Sequence, residues 1–107
     1  MKFLCLAYLD RGLSPGPGVA ADYGALGEAM RAAGVLVDSG QLAPGDAAKL
    51  VRVTAGQAEV SDGPPPGAGQ VPTAYFVIDC ADLTDALDWA VRIPAASYGS
   101  VEVRPPR

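Results

Sequence analysis

The sequence predicts a single α+β domain, and three observations lead to this prediction. The chain has 107 residues, which suits one small domain, so we assign residues 1–107 to one domain. Half of the residues are apolar and 19% are charged, a composition that excludes a wholly disordered chain. Short apolar runs typical of strands alternate with two stretches whose apolar residues recur at helical spacing.

The first third of the chain predicts a strand, a helix and a second strand. The apolar run Phe3–Leu9 predicts a buried strand. The Pro/Gly-rich residues 14–18 predict a loop after it. Apolar residues at helical spacing from about Ala20 to Ala33 predict a helix. Val35–Val37 predicts a short second strand, and a polar stretch over residues 38–41 follows it.

The middle of the chain predicts a hairpin, a loop and one further strand. Residues 50–53 and 58–60 flank a Thr-Ala-Gly-Gln turn sequence, which is a β-hairpin signal. Residues 62–72 are so rich in proline and glycine that we predict an irregular loop there. Tyr75–Ile78 combines aromatic and β-branched residues and is the clearest strand in the sequence.

The last third predicts a helix and a final strand. Asp82 is a candidate N-cap with Asp85 three residues on, and Pro94 stops the helical pattern that follows. Val101 and Val103 alternate with polar neighbours, which is typical of a half-buried strand. The predicted order is that of a ferredoxin-like α+β fold, βαββαβ, with an extra hairpin.

The composition excludes several classes of partner. With 12 acidic and 8 basic side chains the net charge is −4, so no basic patch is available to bind nucleic-acid phosphates. Histidine, the commonest metal ligand and general base, is absent. We therefore expect no nucleic-acid partner, no bound metal and no cofactor.

The chain carries no predicted targeting or membrane segment. The N-terminal apolar run is too short for a signal peptide, has no small-residue cleavage site and ends at Asp10. No apolar run approaches the length of a membrane span. Cys5 and Cys80 lie in apolar runs and are expected to be buried small hydrophobes, the alternatives being a disulfide or a reactive thiol. We expect a cytoplasmic protein that does not contact a membrane.

The first predicted strand is apolar on both faces. Phe3 and Cys5 point to one side of the sheet, whereas Leu4 and Leu6 point to the other. Two helices cover only one face of such a sheet, so the second face needs another cover. We predict a homodimer that buries this face; the alternative is that the Pro/Gly-rich loop folds over it.

The order and spacing of several segments resemble the YCII-related family, in the branch known for an Asp-Gly-Pro-Phe signature. The matching segments are residues 1–8, 31–37, 60–64, 75–83, 86–94 and 99–105. The resemblance implies a dimeric α+β barrel, in which two ferredoxin-like protomers pack sheet against sheet. It also implies small enzymes acting on cyclic or lactone-like substrates through a His-Asp pair, or partners of sigma-factor-like regulators.

The sequence departs from the family pattern at two informative positions. The histidine of the relatives would lie near Tyr23, and tyrosine is not a general base at neutral pH. After Asp62-Gly63-Pro64, the usual phenylalanine is Pro65. The resemblance therefore implies the fold more firmly than it implies an activity.

A cleft is expected between the first helix, the end of the second strand and the sheet. The polar residues best placed to line it are Tyr8, Tyr23, Asp38, Gln41, Asp62, Tyr75 and Asp79. Asp38 and Asp62 are the candidate catalytic bases, although a carboxylate after a strand or before Gly-Pro is also a common turn residue. The tyrosines and Gln41 are candidate ligand-binding residues that donate hydrogen bonds to ligand oxygens, although tyrosines also commonly lie at the edge of a core.

Two main functions follow from these residues. The first is a small-molecule-binding protein whose His-Asp site is degenerate or absent. The alternative is a small isomerase or lyase acting on a cyclic or lactone-like substrate, with Asp38 or Asp62 as the base. A regulatory interaction module is a third hypothesis. The missing histidine favours the binding protein.

Overall fold

Strands and helices alternate along the chain in the computed structural model, which describes residues 1–107. The strands are β1 (Lys2–Asp10), β2 (Leu36–Gln41), β3 (Lys49–Thr54), β4 (Gln57–Asp62), β5 (Gln70–Asp79) and β6 (Ser100–Arg104), and the helices are α1 (Val19–Ala32) and α2 (Leu83–Ala90). Short 3-10 turns occupy residues 45–47 and 94–97. The predicted α+β class and the predicted order of elements are confirmed.

Four of the strands form one antiparallel sheet in the order β2-β5-β1-β6. This order places β1 and β5, the two most apolar strands, in the centre. Cys5 of β1 lies opposite Phe76 of β5 on one side and Val103 of β6 on the other. The arrangement is that of a ferredoxin-like fold, with α1 connecting β1 to β2 and α2 connecting β5 to β6.

The hydrophobic core lies between one face of this sheet and the two helices. Alternate residues of β1 and β5 point into it, because side chains along a strand alternate between the faces. The largest side chains that are fully buried there are Phe3, Met30, Ile78 and Ile93. Each stabilises the fold by about 1.5–3 kcal/mol relative to an exposed side chain.

Helix α2 begins as the sequence predicts. The Asp82 side chain accepts a hydrogen bond from the backbone N–H of Asp85 at 2.9 Å, which satisfies a donor that the first turn would otherwise leave free. Ala86 and Ala90 are the helix residues buried against the core.

Strand β5 begins within the segment that the sequence predicts to be a loop. The prediction that residues 62–72 form no strand is wrong at both ends, since Asp62 ends β4 and β5 starts at Gln70 and includes Pro72. The register of β1 against β5 shifts between Ala7 and Tyr8, and Pro72 lies opposite Tyr8 next to that shift. A bulge tolerates proline because it interrupts the hydrogen-bond ladder that proline cannot join.

Strand β2 is longer than predicted and includes the polar stretch. It runs from Leu36 to Gln41, so Asp38 lies within the strand and not after it. The strand is at the edge of the sheet and pairs only with β5. An edge strand accepts polar side chains because one of its sides faces solvent.

The β3–β4 hairpin forms a separate two-stranded sheet. Its valines Val51, Val53 and Val60 are 62%, 69% and 66% exposed. The pairing of Val51 with Val60 places these side chains on one face of the hairpin. The hairpin therefore adds little to the core.

Both cysteines are free and buried, as predicted. Burial raises the pKa of the Cys5 thiol to about 11 and also raises the pKa of Cys80. At neutral pH both side chains are therefore thiols, the unreactive form. Neither helix has the length and apolar character needed to cross a bilayer.

Gly99 is the glycine most tightly enclosed by the fold. A Cβ atom on Gly99 would lie 2.0 Å from the backbone oxygen of Tyr8, so any side chain would push β1 away. We predict that Gly99→Ala lowers the free energy of unfolding by at least about 1–3 kcal/mol, which is the usual cost of overpacking. Urea unfolding followed by circular dichroism measures this change.

Gly24 of α1 is the matched control. A Cβ atom there meets nothing within 4 Å. Gly24→Ala should raise the free energy of unfolding by about 0.5–1 kcal/mol, because alanine has the higher helix propensity. Equal effects of the two substitutions would contradict the close approach of Gly99 to β1.

Candidate functional site

The sheet face turned away from the helices is here called the open face. Its apolar centre consists of Leu4 and Leu6 of β1 and Val77 of β5. These residues alternate along their strands with the residues that point into the core. Leu4 is 37% exposed. The Pro/Gly-rich loop lies at the end of the sheet, where the Arg11 N–H donates to the Gly69 oxygen at 2.9 Å. No helix covers the open face.

A hydrogen-bonded pair lies at the β2 side of the open face. The Tyr75 hydroxyl donates to Oδ2 of Asp38 at 3.3 Å. The Tyr75 ring lies across Gly40, whose absent Cβ atom would come 2.8 Å from the ring carbon Cε1. The Asp38 carboxylate raises the pKa of Tyr75, because a second negative charge beside it is unfavourable.

A second polar cluster lies at the β6 side of the open face. The Tyr8 hydroxyl donates to Oε1 of Glu102 at 3.0 Å. Arg104 donates to Oε2 of the same carboxylate through Nε at 3.1 Å and Nη2 at 2.8 Å. These hydrogen bonds lower the pKa of Glu102. The hydrogen bonds from Arg104 have the larger effect, and the one from Tyr8 has the smaller effect. Both polar clusters are thus ordered by contacts within the chain.

A groove of about 210 Å³ lies on the other side of β2, between this strand and α1. Tyr23 and Gln41 both line it. The Tyr23 ring stacks on Phe76 with centroids 5.9 Å apart, and its hydroxyl is buried without a hydrogen-bond partner. Burial and the neighbouring Tyr98 raise the pKa of Tyr23 to about 12, so its hydroxyl stays protonated at neutral pH.

A cavity of about 460 Å³, here called the end cavity, lies where three loops meet at the end of the sheet. The loops after β1, after β2 and before β5 contribute to it. Its walls include Leu13, Leu42, Val71 and several prolines, and its charged residues are Arg11 and Asp46. Gln41 lines this cavity as well as the groove.

Asp62 lies apart from the other predicted site residues. It ends β4 at the base of the hairpin, directly opposite Lys49 of β3. Its carboxylate forms a salt bridge with Lys49, and the Asp62 side chain is 84% exposed.

The structure divides the predicted site residues among several places. Tyr8, Asp38 and Tyr75 share the open face, whereas Tyr23 and Gln41 line the groove behind β2. Neither Asp38 nor Asp62 lines the end cavity or the groove. Sequence reasoning missed Arg11 and Asp46, because no motif connects two loop residues that only the fold brings together.

We predict that Asp38→Asn lowers the pKa of Tyr75 toward its ordinary value. The substitution removes the negative charge that disfavours tyrosinate. Gly40→Ala should also lower the pKa of Tyr75, because the added methyl group displaces the Tyr75 ring from Asp38. An NMR titration of protein carrying ¹³Cζ-labelled tyrosine follows each ring separately.

Tyr8 is the internal control in this titration. Its pKa is raised by burial and by Glu102, so neither substitution should move it. An unchanged Tyr75 titration in Asp38→Asn would show that the pair does not form.

Comparison with known proteins gives two findings. The sequence matches the family model described as the YCII-related domain over residues 1–106. It is also 41% identical, over 75 residues, to an uncharacterised protein of Rhizobium meliloti (strain 1021). That alignment covers 68% of this chain and 60% of the relative, so the chain spans less than two thirds of the relative's length.

These matches agree with the ferredoxin-like architecture and with the order of segments that carries the resemblance. A family match assigns no reaction by itself, because one fold serves many functions. The chain belongs to the YCII-related domain family.

Proposed function

We propose that this protein is a homodimer that binds a small organic molecule in the end cavity and does not transform it. The proposal that a ligand binds in this cavity rests on one observation. Arg11 and Asp46, which line the cavity, form no salt bridge within the chain. A ligand with an acidic group, a basic group and an apolar body would satisfy both charges and the apolar walls.

The size of the end cavity supports this assignment. A volume of about 460 Å³ lies in the range of roughly 300–1,000 Å³ typical of small-molecule sites. The Gln41 amide adds a donor and an acceptor at the same wall. Pro64 contributes the base of the Pro/Gly-rich loop as a further wall.

The state of the two candidate bases favours binding over catalysis. Asp62 is exposed and forms a salt bridge with Lys49, and Asp38 does not line the end cavity. General bases work best in sites that shield them from water and place them beside the substrate. With no histidine in the chain, the His-Asp pair expected from the family resemblance has no counterpart.

The open face supports the homodimer. Antiparallel sheets that face water carry polar side chains on that face, whereas Leu4, Leu6 and Val77 are apolar here. A second copy of the same face supplies an apolar cover of matching shape, because a two-fold interface uses the same patch twice.

We expect phenylalanine, used as a probe, to bind in the end cavity. It carries the acidic group, the basic group and the apolar body in one small molecule. In a ¹H–¹⁵N NMR titration, shifted amide signals should cluster at residues 11–14, 42–46 and 71–73. 3-Phenylpropionate and 2-phenylethylamine each lack one charge and should bind more weakly, by roughly tenfold for a charged contact of about 1.4 kcal/mol.

Arg11→Gln should weaken phenylalanine binding, whereas Arg107→Gln at the C-terminal end should leave it unchanged. The second substitution removes the same charge at a residue that does not line the cavity. Shifts that cluster in the α1–β2 groove, or equal binding of all three probes, would contradict this ligand assignment.

A further inference from the structure

Gln41 connects the end cavity with the groove between α1 and β2. It is the one residue that lines both. Its side chain points to the same side of β2 as that of Ser39, which also lines the groove. None of the side-chain hydrogen bonds of the structure involves the Gln41 amide. A ligand that extends from the end cavity into the groove therefore passes a free donor and a free acceptor.

The groove has an aromatic wall and open space beside it. The rings of Tyr23 and Phe76 line the groove and stack on each other with an angle of 22° between their planes. Gly24 and Gly27 of α1 line it as well, and a Cβ atom on either glycine would meet nothing within 4 Å. The space that these glycines leave accepts a flat group, which can pack against the rings.

The groove and the end cavity differ in charge. The two charged residues of the groove, Glu28 and Arg31, form a salt bridge with each other. In the end cavity, by contrast, neither Arg11 nor Asp46 forms a salt bridge. An ion that leaves water for a site without a free opposite charge loses hydration and gains no partner. The charged groups of a ligand are therefore expected in the end cavity, and a neutral group in the groove.

The size of the groove indicates an extension of a larger site. Its volume of about 210 Å³ is below the roughly 300–1,000 Å³ typical of small-molecule sites. The end cavity, at about 460 Å³, lies within that range. The two spaces together therefore suit a ligand that is longer than a simple amino acid.

We propose that the ligand of the end cavity is an α-amino acid with a long side chain that carries an amide and, beyond the amide, an aromatic ring that lies in the groove. This inference rests on the ligand binding proposed above and names the class of ligand. The amino group pairs with Asp46, the carboxylate pairs with Arg11, and the amide bonds to Gln41. The ring packs against Tyr23 and Phe76.

An amide suits the position beside Gln41 better than the alternatives. It has a donor and an acceptor, which complement those of the Gln41 amide. A purely apolar side chain would cover the Gln41 amide without replacing its hydrogen bonds to water, which costs free energy. A second charged group would meet no free opposite charge, because Glu28 and Arg31 are paired.

Three amino acids test the parts of this ligand in turn. Norleucine has the two charged groups and an aliphatic side chain, Nε-acetyl-lysine adds the amide, and Nε-benzoyl-lysine adds the ring. Their Kd values follow from ¹H–¹⁵N NMR titrations. Nε-acetyl-lysine should bind about fivefold more tightly than norleucine, the usual effect of a hydrogen bond. Nε-benzoyl-lysine should bind at least about fivefold more tightly than Nε-acetyl-lysine, because its ring packs against two others.

The same titrations locate the added ring. All three amino acids should shift amide signals at residues 11–14, 42–46 and 71–73, which line the end cavity. Nε-benzoyl-lysine alone should also shift signals at residues 20–28 and 39–40, which border the groove.

Gly27→Leu tests whether the ring occupies the groove. The leucine side chain takes the open space beside α1, so the two lysine derivatives should bind equally to this variant. Ala25→Leu is the matched control, since it adds the same side chain at an exposed residue of α1 that does not line the groove. It should keep the preference for Nε-benzoyl-lysine. Circular dichroism confirms that each variant is folded, and Gly24→Leu replaces Gly27→Leu if the latter is not.

The outcomes separate this inference from the proposed function. If norleucine shifts no signal of the end cavity, the proposed ligand site is wrong and this ligand class with it. Norleucine that binds there, together with an acetyl or a benzoyl group that adds no affinity, would overturn the ligand class alone. A preference for Nε-benzoyl-lysine that survives Gly27→Leu would do the same.

Discussion

The structure depends on one constraint: a four-stranded sheet has two faces, and the chain provides helices for only one of them. Phe3, Cys5 and Ile78 point toward α1 and α2 and are buried. Their neighbours Leu4 and Val77 necessarily point the other way, because side chains along a strand alternate. The apolar character of both sets is the physical reason to expect a second copy of the chain on the open face.

The same alternation separates a surface for association from a surface for ligands. Tyr8, Asp38 and Tyr75 lie on the open face, where hydrogen bonds with Glu102 and with each other hold them in place. The end cavity lies beyond the strand ends, where loops from three parts of the chain converge. In the proposed dimer the sheet face joins two copies, and each copy keeps its own cavity.

Much of the fold follows from local sequence features. The N-cap at Asp82, the alternation around Val101 and the hairpin pattern all depend on neighbouring residues, and the structure contains each of them. The start of β5 does not follow locally, because Pro72 is tolerated only beside a register shift that depends on β1. The distribution of the site residues was also not predictable, since it requires knowing which strand lies at the sheet edge and where the loops converge. Arg11 and Asp46 come together only when the loops after β1 and β2 meet.

The Asp-Gly-Pro-Phe branch stays a prediction, with Pro65 in place of the phenylalanine.

The central claim is that the open face is covered by the open face of a second copy. Isotope-filtered NOE spectroscopy tests it on a sample in which half of the chains carry ¹³C-labelled methyl groups and the others are unlabelled. Such spectra contain only contacts between chains. In the proposed dimer, NOEs connect the Leu4 and Leu6 methyl groups to residues on the open face of the partner subunit. Contacts between chains that involve the β3–β4 hairpin or the helices, with none from Leu4 or Leu6, would contradict it.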